Sequence, residues 1–559
     1  MGDQTSDRPA GDDRPPLHEF IIVGAGVCGI YQLHRLVERG ADVLLIDALG
    51  DVGGTWYQNR YPGCRFDSES YTYGYSFSPE LLQEWSWSEH FAGQPETLRY
   101  LNHVVDRFDL RRHMRFGCRV RAAAFDDATD SWRVELDDGG TLTCRFLVTA
   151  LGVLSAPTMP RFEGMETFRG PSFHTFWWPH EPLDLRGKRV GVVGTGATGV
   201  QVIAAIADQV AELTVFQRRP NWCAPLHNGP ISEAEMDRIK ATYDEIFDRC
   251  ARTPGAFLHG PDRRRIAEVP REERLAFWEQ LYASPGFGIW LGNFRDVLMD
   301  DDANAEFSAF VADKIRARVH DPAVAEKLIP RDHGFGVQRV PMETRYYEAY
   351  NRDNVHLVDL TETPVERVTP AGIRTTAQDH ELDVIVYATG FDAITGSFDR
   401  IAITGVDGVE LRSRWRDGPT TYLGVQVAGF PNLIMLAGPQ GASNATNFPR
   451  AIEFVVDWAT ELYAHVAEQG YTRVEVAPEA EATWTEHVTE LYGGLLLRKA
   501  RSWFTGYNSN VEGRDTPRYL IYNGGAPRYR KHLTEIADEG YPGFVFHGPP
   551  AAGATERPA

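Results

Sequence analysis

An α/β fold with two parallel-sheet units and a helical insertion is what this sequence predicts, and three patterns predict it. Two stretches read as apolar strand, glycine turn and amphipathic helix, about 170 residues apart. Each leads into a second short apolar strand, as parallel pairing through a crossover helix requires. Between about residues 224 and 335 the pattern changes to charged helical segments, which read as an insertion.

The first unit opens with residues 18–23 (HEFIIV), a strand that ends in Gly24-Ala25-Gly26-Val27-Cys28-Gly29. Val27, Ile30, Leu33 and Val37 then recur at helical spacing. Residues 41–47 (ADVLLID) form the next strand, and Asp47 closes it 23 residues after Gly24, near the distance at which an acid meets a ribose hydroxyl. In a Rossmann-like turn of this kind Gly24 permits the tight turn, Gly26 lets backbone N–H groups approach a pyrophosphate, and Gly29 lets helix and strand pack closely.

The second unit repeats the pattern with one difference. Residues 188–193 (KRVGVV) lead into Gly194-Thr195-Gly196-Ala197-Thr198-Gly199, and Val200, Ile203, Ala207 and Val210 supply a helix face. The following strand, residues 213–219 (LTVFQRR), ends in Arg218 and Arg219 where the first unit has its acid. Guanidinium groups there suit a ribose 2′-phosphate, so FAD is expected in the first unit and NADPH in the second; two solvated surface arginines are the plainer alternative. Residues 146–152 and 384–390 are apolar strands ending in small residues, read either as ordinary strand ends or as crossings that run close to a cofactor.

The remainder is read more coarsely. A helix around residues 95–108 and an alternating hairpin over 119–136 lie within the first unit, and a helix spans 451–470. The expected division is a leader over 1–17, a discontinuous FAD unit over 18–151 and 389–548, an NADP unit over 152–388, and a disordered Pro- and Ala-rich tail over 549–559.

Composition narrows the partners. A chain of 559 residues with 43% hydrophobic and 24% charged residues is ordinary globular material. A formal charge of −21 disfavours nucleic acid and anionic membrane as partners. The six cysteines have neither zinc-like nor C-x-x-C spacing, so no metal is expected, and reduced thiols fit a cytoplasmic location. Oligomeric state is not legible.

Residues 168–179 (FRGPSFHTFWWP) match F-x-G-x-x-x-H-x-x-x-W-P. With residues 51–57 (DVGGTWY), Tyr61-Pro62-Gly63 followed by Arg65 and Asp67, Tyr346-Tyr347 with Asn351-Arg352, and residues 388–392 (ATGFD), the chain resembles the Baeyer-Villiger monooxygenases, class B flavoprotein monooxygenases, over nearly its whole length. Residues 502–506 (SWFTG), Gly524-Gly525 and Tyr529-Arg530 are similar to the phenylacetone and cyclopentadecanone monooxygenase branches.

That resemblance implies two Rossmann-like domains, FAD and NADP, with a cleft between them. It implies that NADPH reduces the flavin, that O2 forms a flavin C4a-peroxide, and that this attacks a ketone to give an ester or lactone; sulfides are further substrates. Arg339 then becomes the permanent cation beside the flavin and Asp67 the acid that orients it, unless Asp67 is only a structural ion pair. His174 belongs to the fingerprint, with a conformational role favoured over acid–base work. Thr55, Trp56, Arg65, Asp67, Tyr73 and Val120 fall to the FAD site; Gln338 and Trp503 fall to NADP, although Trp503 as bare sequence reads equally as core.

Two departures matter. Gln338 stands where the family commonly has Lys, which loosens the preference for NADPH over NADH, and Arg219 is a candidate to compensate. Asp47 replaces the usual Glu with a shorter acid. The rivals are a flavin-containing N- or S-monooxygenase, a flavin disulfide reductase and a non-catalytic nucleotide sensor.

Overall fold

The computed structural model describes residues 17–548. The leader up to residue 16 and the tail from 549 lie outside the described residues. Leu17, expected in the leader, instead begins the strand Leu17–Val23, because it holds a ladder position opposite Thr143.

Continuous burial explains why residues 20–23 form a central strand rather than a one-sided one. Leu17–Val23 pairs in parallel with Val43–Ile46 on one side and Thr141–Thr149 on the other. The helix Val27–Glu38 connects the first two and buries Ile30, Leu33 and Leu36 against them. Completely burying a side chain of this kind contributes roughly 1.5 to 3 kcal/mol.

The first sheet grows from both ends of the chain. The alternating stretch becomes the antiparallel hairpin Val120–Asp126 and Ser131–Leu136, which continues antiparallel into Thr141–Thr149. Far later, Ala402–Thr404 joins Val120–Asp126 and Leu433–Met435 joins Thr141–Thr149, both in parallel. The helix Phe448–Glu468 then covers Val27–Glu38; Tyr31 donates to Asp457 at 2.8 Å and Gln32 to Thr460 at 3.0 Å.

The second sheet is wholly parallel, in the order Val355–Asp359, Glu212–Gln217, Arg189–Val193, Val384–Tyr387, Ser172–His174. Its edge strand, Ser172–His174, is the middle of the fingerprint. The helical insertion includes Glu233–Ala241, Tyr243–Arg252, Arg271–Ala283 and Asp301–Arg318. Among the described residues, no helix is long and apolar enough to cross a membrane, and no cluster of three or more His, Cys, Asp or Glu could hold a metal.

Candidate active site

Both glycine turns deliver an uncapped helix N-terminus. Val27–Glu38 follows Gly26 and Ala197–Ile206 follows Gly196, with no capping side chain and no acid in either first turn. Their leading N–H groups and positive dipole ends are therefore available to an anion. Gly24 and Gly194 take φ of +117° and +109°, where an L side chain is strained. A Cβ on Gly29 would lie 1.8 Å from the Gly24 carbonyl oxygen, and one on Gly199 would lie 2.2 Å from that of Gly194, so each helix packs hard on its strand.

The two turns open into one crevice of about 1280 Å³, whose wall also includes residues 150–155 and 388–391. The residues that follow the two apolar strands, Thr141–Thr149 and Val384–Tyr387, therefore lie beside it. Gly24, Gly26, Asp47, Thr55, Trp56 and Arg65 line the crevice on one side, with Tyr73 and Val120. Gly194, Thr195, Gly196, Arg218, Arg219 and Gln338 line the other, and Trp503, half-buried, lines the crevice while packing against the core.

The residues fit two dinucleotides. A Cβ on Gly196 would meet nothing within 4 Å, so this turn presents bare backbone to open space. Asn444, in the same wall, keeps a buried amide oxygen without a hydrogen-bond partner. Asp47 has a dual place: Ala25 and Leu49 N–H groups donate to its two carboxylate oxygens at 2.6 and 2.7 Å, while the side chain still borders the crevice. Burial pushes its pKa up, opposed by those two N–H groups.

Arg339 reaches the crevice and is paired. Its Nη2 lies 2.7 Å from Asp67 Oδ2, and Asp67 is almost completely buried. The Met342 N–H also donates to Asp67, at 3.2 Å, leaving the other carboxylate oxygen without a partner. Phe287 lies 5.9 Å from the guanidinium. Asp67 does not itself line the crevice, whereas Arg339 does.

His174 does not line the crevice either. Its Nδ1 accepts from the Phe176 N–H at 3.0 Å and its Nε2 faces the Gly390 carbonyl at 3.1 Å, which assigns the proton to Nε2. Burial pushes its pKa down to about 4. A neutral, fully satisfied imidazole is unsuited to acid–base work; it ties the fingerprint to the turn after Val384–Tyr387. The neighbouring Phe176 carbonyl accepts from Gln58 at 2.7 Å, so the fingerprint also touches the first unit.

Sequence reasoning missed how the C-terminal stretch closes the site. Asn508 and Asn510 donate to the Phe391 and Thr389 carbonyls at 2.9 and 3.3 Å, and Arg501 lines the crevice. No local pattern marks these residues, because their partners lie more than a hundred residues away.

A family model described as pyridine nucleotide-disulphide oxidoreductase matches residues 21–252. The 2-oxo-Delta(3)-4,5,5-trimethylcyclopentenylacetyl-CoA monooxygenase of Pseudomonas putida is 48% identical over 537 residues, covering 95% of this chain and 98% of that one. A Baeyer-Villiger monooxygenase of Pseudooceanicola batsensis is 39% identical over 530 residues, covering 94% and 96%. The chain belongs to the Baeyer-Villiger monooxygenases. It is an FAD-dependent, NADPH-consuming enzyme, and the crystal structure of OTEMO in complex with FAD and NADP superimposes with a TM-score of 0.92 at 48% identity, covering 95% of this chain and 100% of that one. The phenazine N-monooxygenase PhzNO1 of Lysobacter antibioticus is also similar, 39% identical over 537 residues, covering 96% and 98%. As a Baeyer-Villiger monooxygenase the chain has no use for the redox dithiol that the family model's description implies. All six cysteines are buried and unpaired.

Proposed function

We propose that this Baeyer-Villiger monooxygenase oxygenates bulky cyclic ketones to lactones, with Arg339 as its catalytic cation and Asp67 as the residue that positions it. Bound FAD, reduced by NADPH, supplies the activation of O2. The chain's own part is electrostatic. Guanidinium stays protonated at any working pH, so Arg339 offers a fixed positive charge to the oxygen that becomes negative during transfer. Asp67, buried and bonded to Met342 N–H, keeps that fork from swinging away. The Asp67–Arg339 pair at the edge of the shared crevice is the observation that carries the reading.

Around it, the two bare helix N-termini would hold the two pyrophosphates, Asp47 the FAD ribose, and Arg218 and Arg219 the NADP ribose phosphate. Thr55, Trp56, Arg65, Tyr73 and Val120 would line the flavin. Domain limits of 18–151 with 389–548, and of 152–388, are supported by the late strands that join the first sheet. The preference for cyclic substrates rests on the size of the crevice and on the relative that acts on a cyclopentenyl-acetyl-CoA. Unpaired cysteines support a cytoplasmic setting.

The test is product analysis by mass spectrometry with NADPH, O2 and a panel of linear, aromatic, monocyclic and polycyclic ketones. A phenazine in the panel examines N-oxygenation, the reading suggested by PhzNO1. Lactone is expected from the cyclic members. Arg339→Ala should retain flavin and its reduction by NADPH while lactone formation falls by about a hundredfold or more. Normal ketone turnover in that variant removes the assignment.

A further inference from the structure

The ribose end of the second cradle holds more positive charge than its glycine-turn unit supplies. Arg218 and Arg219 follow the strand Glu212–Gln217, and Arg501 arrives from nearly 300 residues later to line the same crevice. The guanidinium carbons of Arg219 and Arg501 lie 6.0 and 5.9 Å from the ring centre of Tyr507. Arg219 also donates to the backbone carbonyl of Arg501 at 3.3 Å, and Arg218 donates to Ser509 Oγ at 2.7 Å.

These cations are poorly neutralised. Arg219 faces Asp332 at 3.4 Å, but His333 holds that same carboxylate at 2.7 Å. Among the described residues no carboxylate forms an ion pair with Arg218 or Arg501. Burial, and then the neighbouring Arg219, push the Arg218 pKa down. In a chain of net charge −21, gathering three guanidiniums with one acid, paired to Arg219 and shared with His333, creates local repulsion that a multiply charged anion would relieve. Gln338, also in the wall, brings no charge.

We infer that Arg501 is a specificity-determining residue that grips the 2′-phosphate of NADP beside Arg218 and Arg219, in place of the cation missing at position 338. The inference rests on the placement of NADP in the second unit. A phosphate offers three acceptor oxygens that separate guanidiniums can share, whereas the bare ribose hydroxyl of NADH accepts weakly and carries no charge. Arg501 therefore adds discrimination rather than general nucleotide affinity.

Equilibrium binding to the flavin-loaded enzyme tests this without turnover. Isothermal titration calorimetry would compare 2′,5′-ADP with 5′-AMP, and NADP+ with NAD+. Arg501→Gln should weaken 2′,5′-ADP about tenfold and leave 5′-AMP within about twofold, the loss of one charged hydrogen bond. Arg501→Lys should lose less, and Gln338→Lys in the Arg501→Gln background should recover 2′,5′-ADP binding. Unchanged 2′,5′-ADP affinity in Arg501→Gln, with a large loss in Arg218→Gln, overturns the role of Arg501 alone. Equal weakening of both fragments overturns it too, because the residue would then be shaping the segment. A parent enzyme that binds the two fragments alike removes the placement of NADP itself.

Discussion

His174 illustrates how a motif residue can be held neutral by the fold. In an unfolded chain its imidazole takes a proton near pH 6.5, whereas in the fold burial lowers that value to about 4. The unfolded chain thus binds the proton first. Its contribution to stability is present in full above pH 6.5 and is lost as pH falls towards 4. Thermal unfolding followed by circular dichroism at pH 7 and at pH 4.5 should show the parent losing more stability than His174→Gln, by about 2 to 3 kcal/mol. Equal losses in the two proteins would mean that the ring is protonated in the fold. Arg339 is the opposite case, a residue proposed to act through its charge.

At the scale of elements, the two helix starts separate packing from binding within a span of four residues. Gly199→Ala would set a methyl 2.2 Å from the Gly194 carbonyl oxygen and force helix Ala197–Ile206 off its strand. Gly196→Ala meets no protein atom within 4 Å and fills the cradle instead. The first variant should lose about 1 to 3 kcal/mol of stability in a denaturant titration. The second should keep its melting temperature but bind NADP+ at least about tenfold more weakly, since the methyl stands where backbone N–H groups meet phosphate. A Gly196→Ala enzyme with unaltered NADP+ binding would move the nucleotide away from this turn.

Across the whole molecule, the units touch at the Tyr61-Pro62-Gly63 turn. Tyr61 donates to Gln201 at 3.0 Å, Gln201 donates to the Arg65 carbonyl at 3.0 Å, and a Cβ on Gly63 would lie 2.7 Å from the Gln201 carbonyl oxygen. The flavin side of the crevice is therefore seated directly on the helix of the second cradle. Gly63→Ala should wedge this contact open, keeping the flavin-to-protein ratio while anaerobic stopped-flow reduction by NADPH slows about tenfold or more. Unaltered reduction would show that the contact does not set the distance between the cofactors.

What the sequence by itself determined is the local part: two strand–turn–helix units, the acid after one and the arginines after the other, the hairpin, the insertion and the fingerprint. Periodicity and glycine spacing encode these because each is decided by neighbours within about 30 residues. Resemblance added Arg339 and Asp67, whose pairing no spacing could reveal. Only the tertiary structure decided that His174 stays out of the crevice wall with both nitrogens satisfied, that Trp503 packs on the core yet lines the crevice, and that Arg501 meets Arg219 across Tyr507. The return of the late chain to the first unit was already expected; the structure decided that residues 402–404 and 433–435 are the strands that join its sheet. Contacts of that sequence separation depend on how whole layers pack, and packing is a property of three-dimensional complementarity that one-dimensional patterns do not carry.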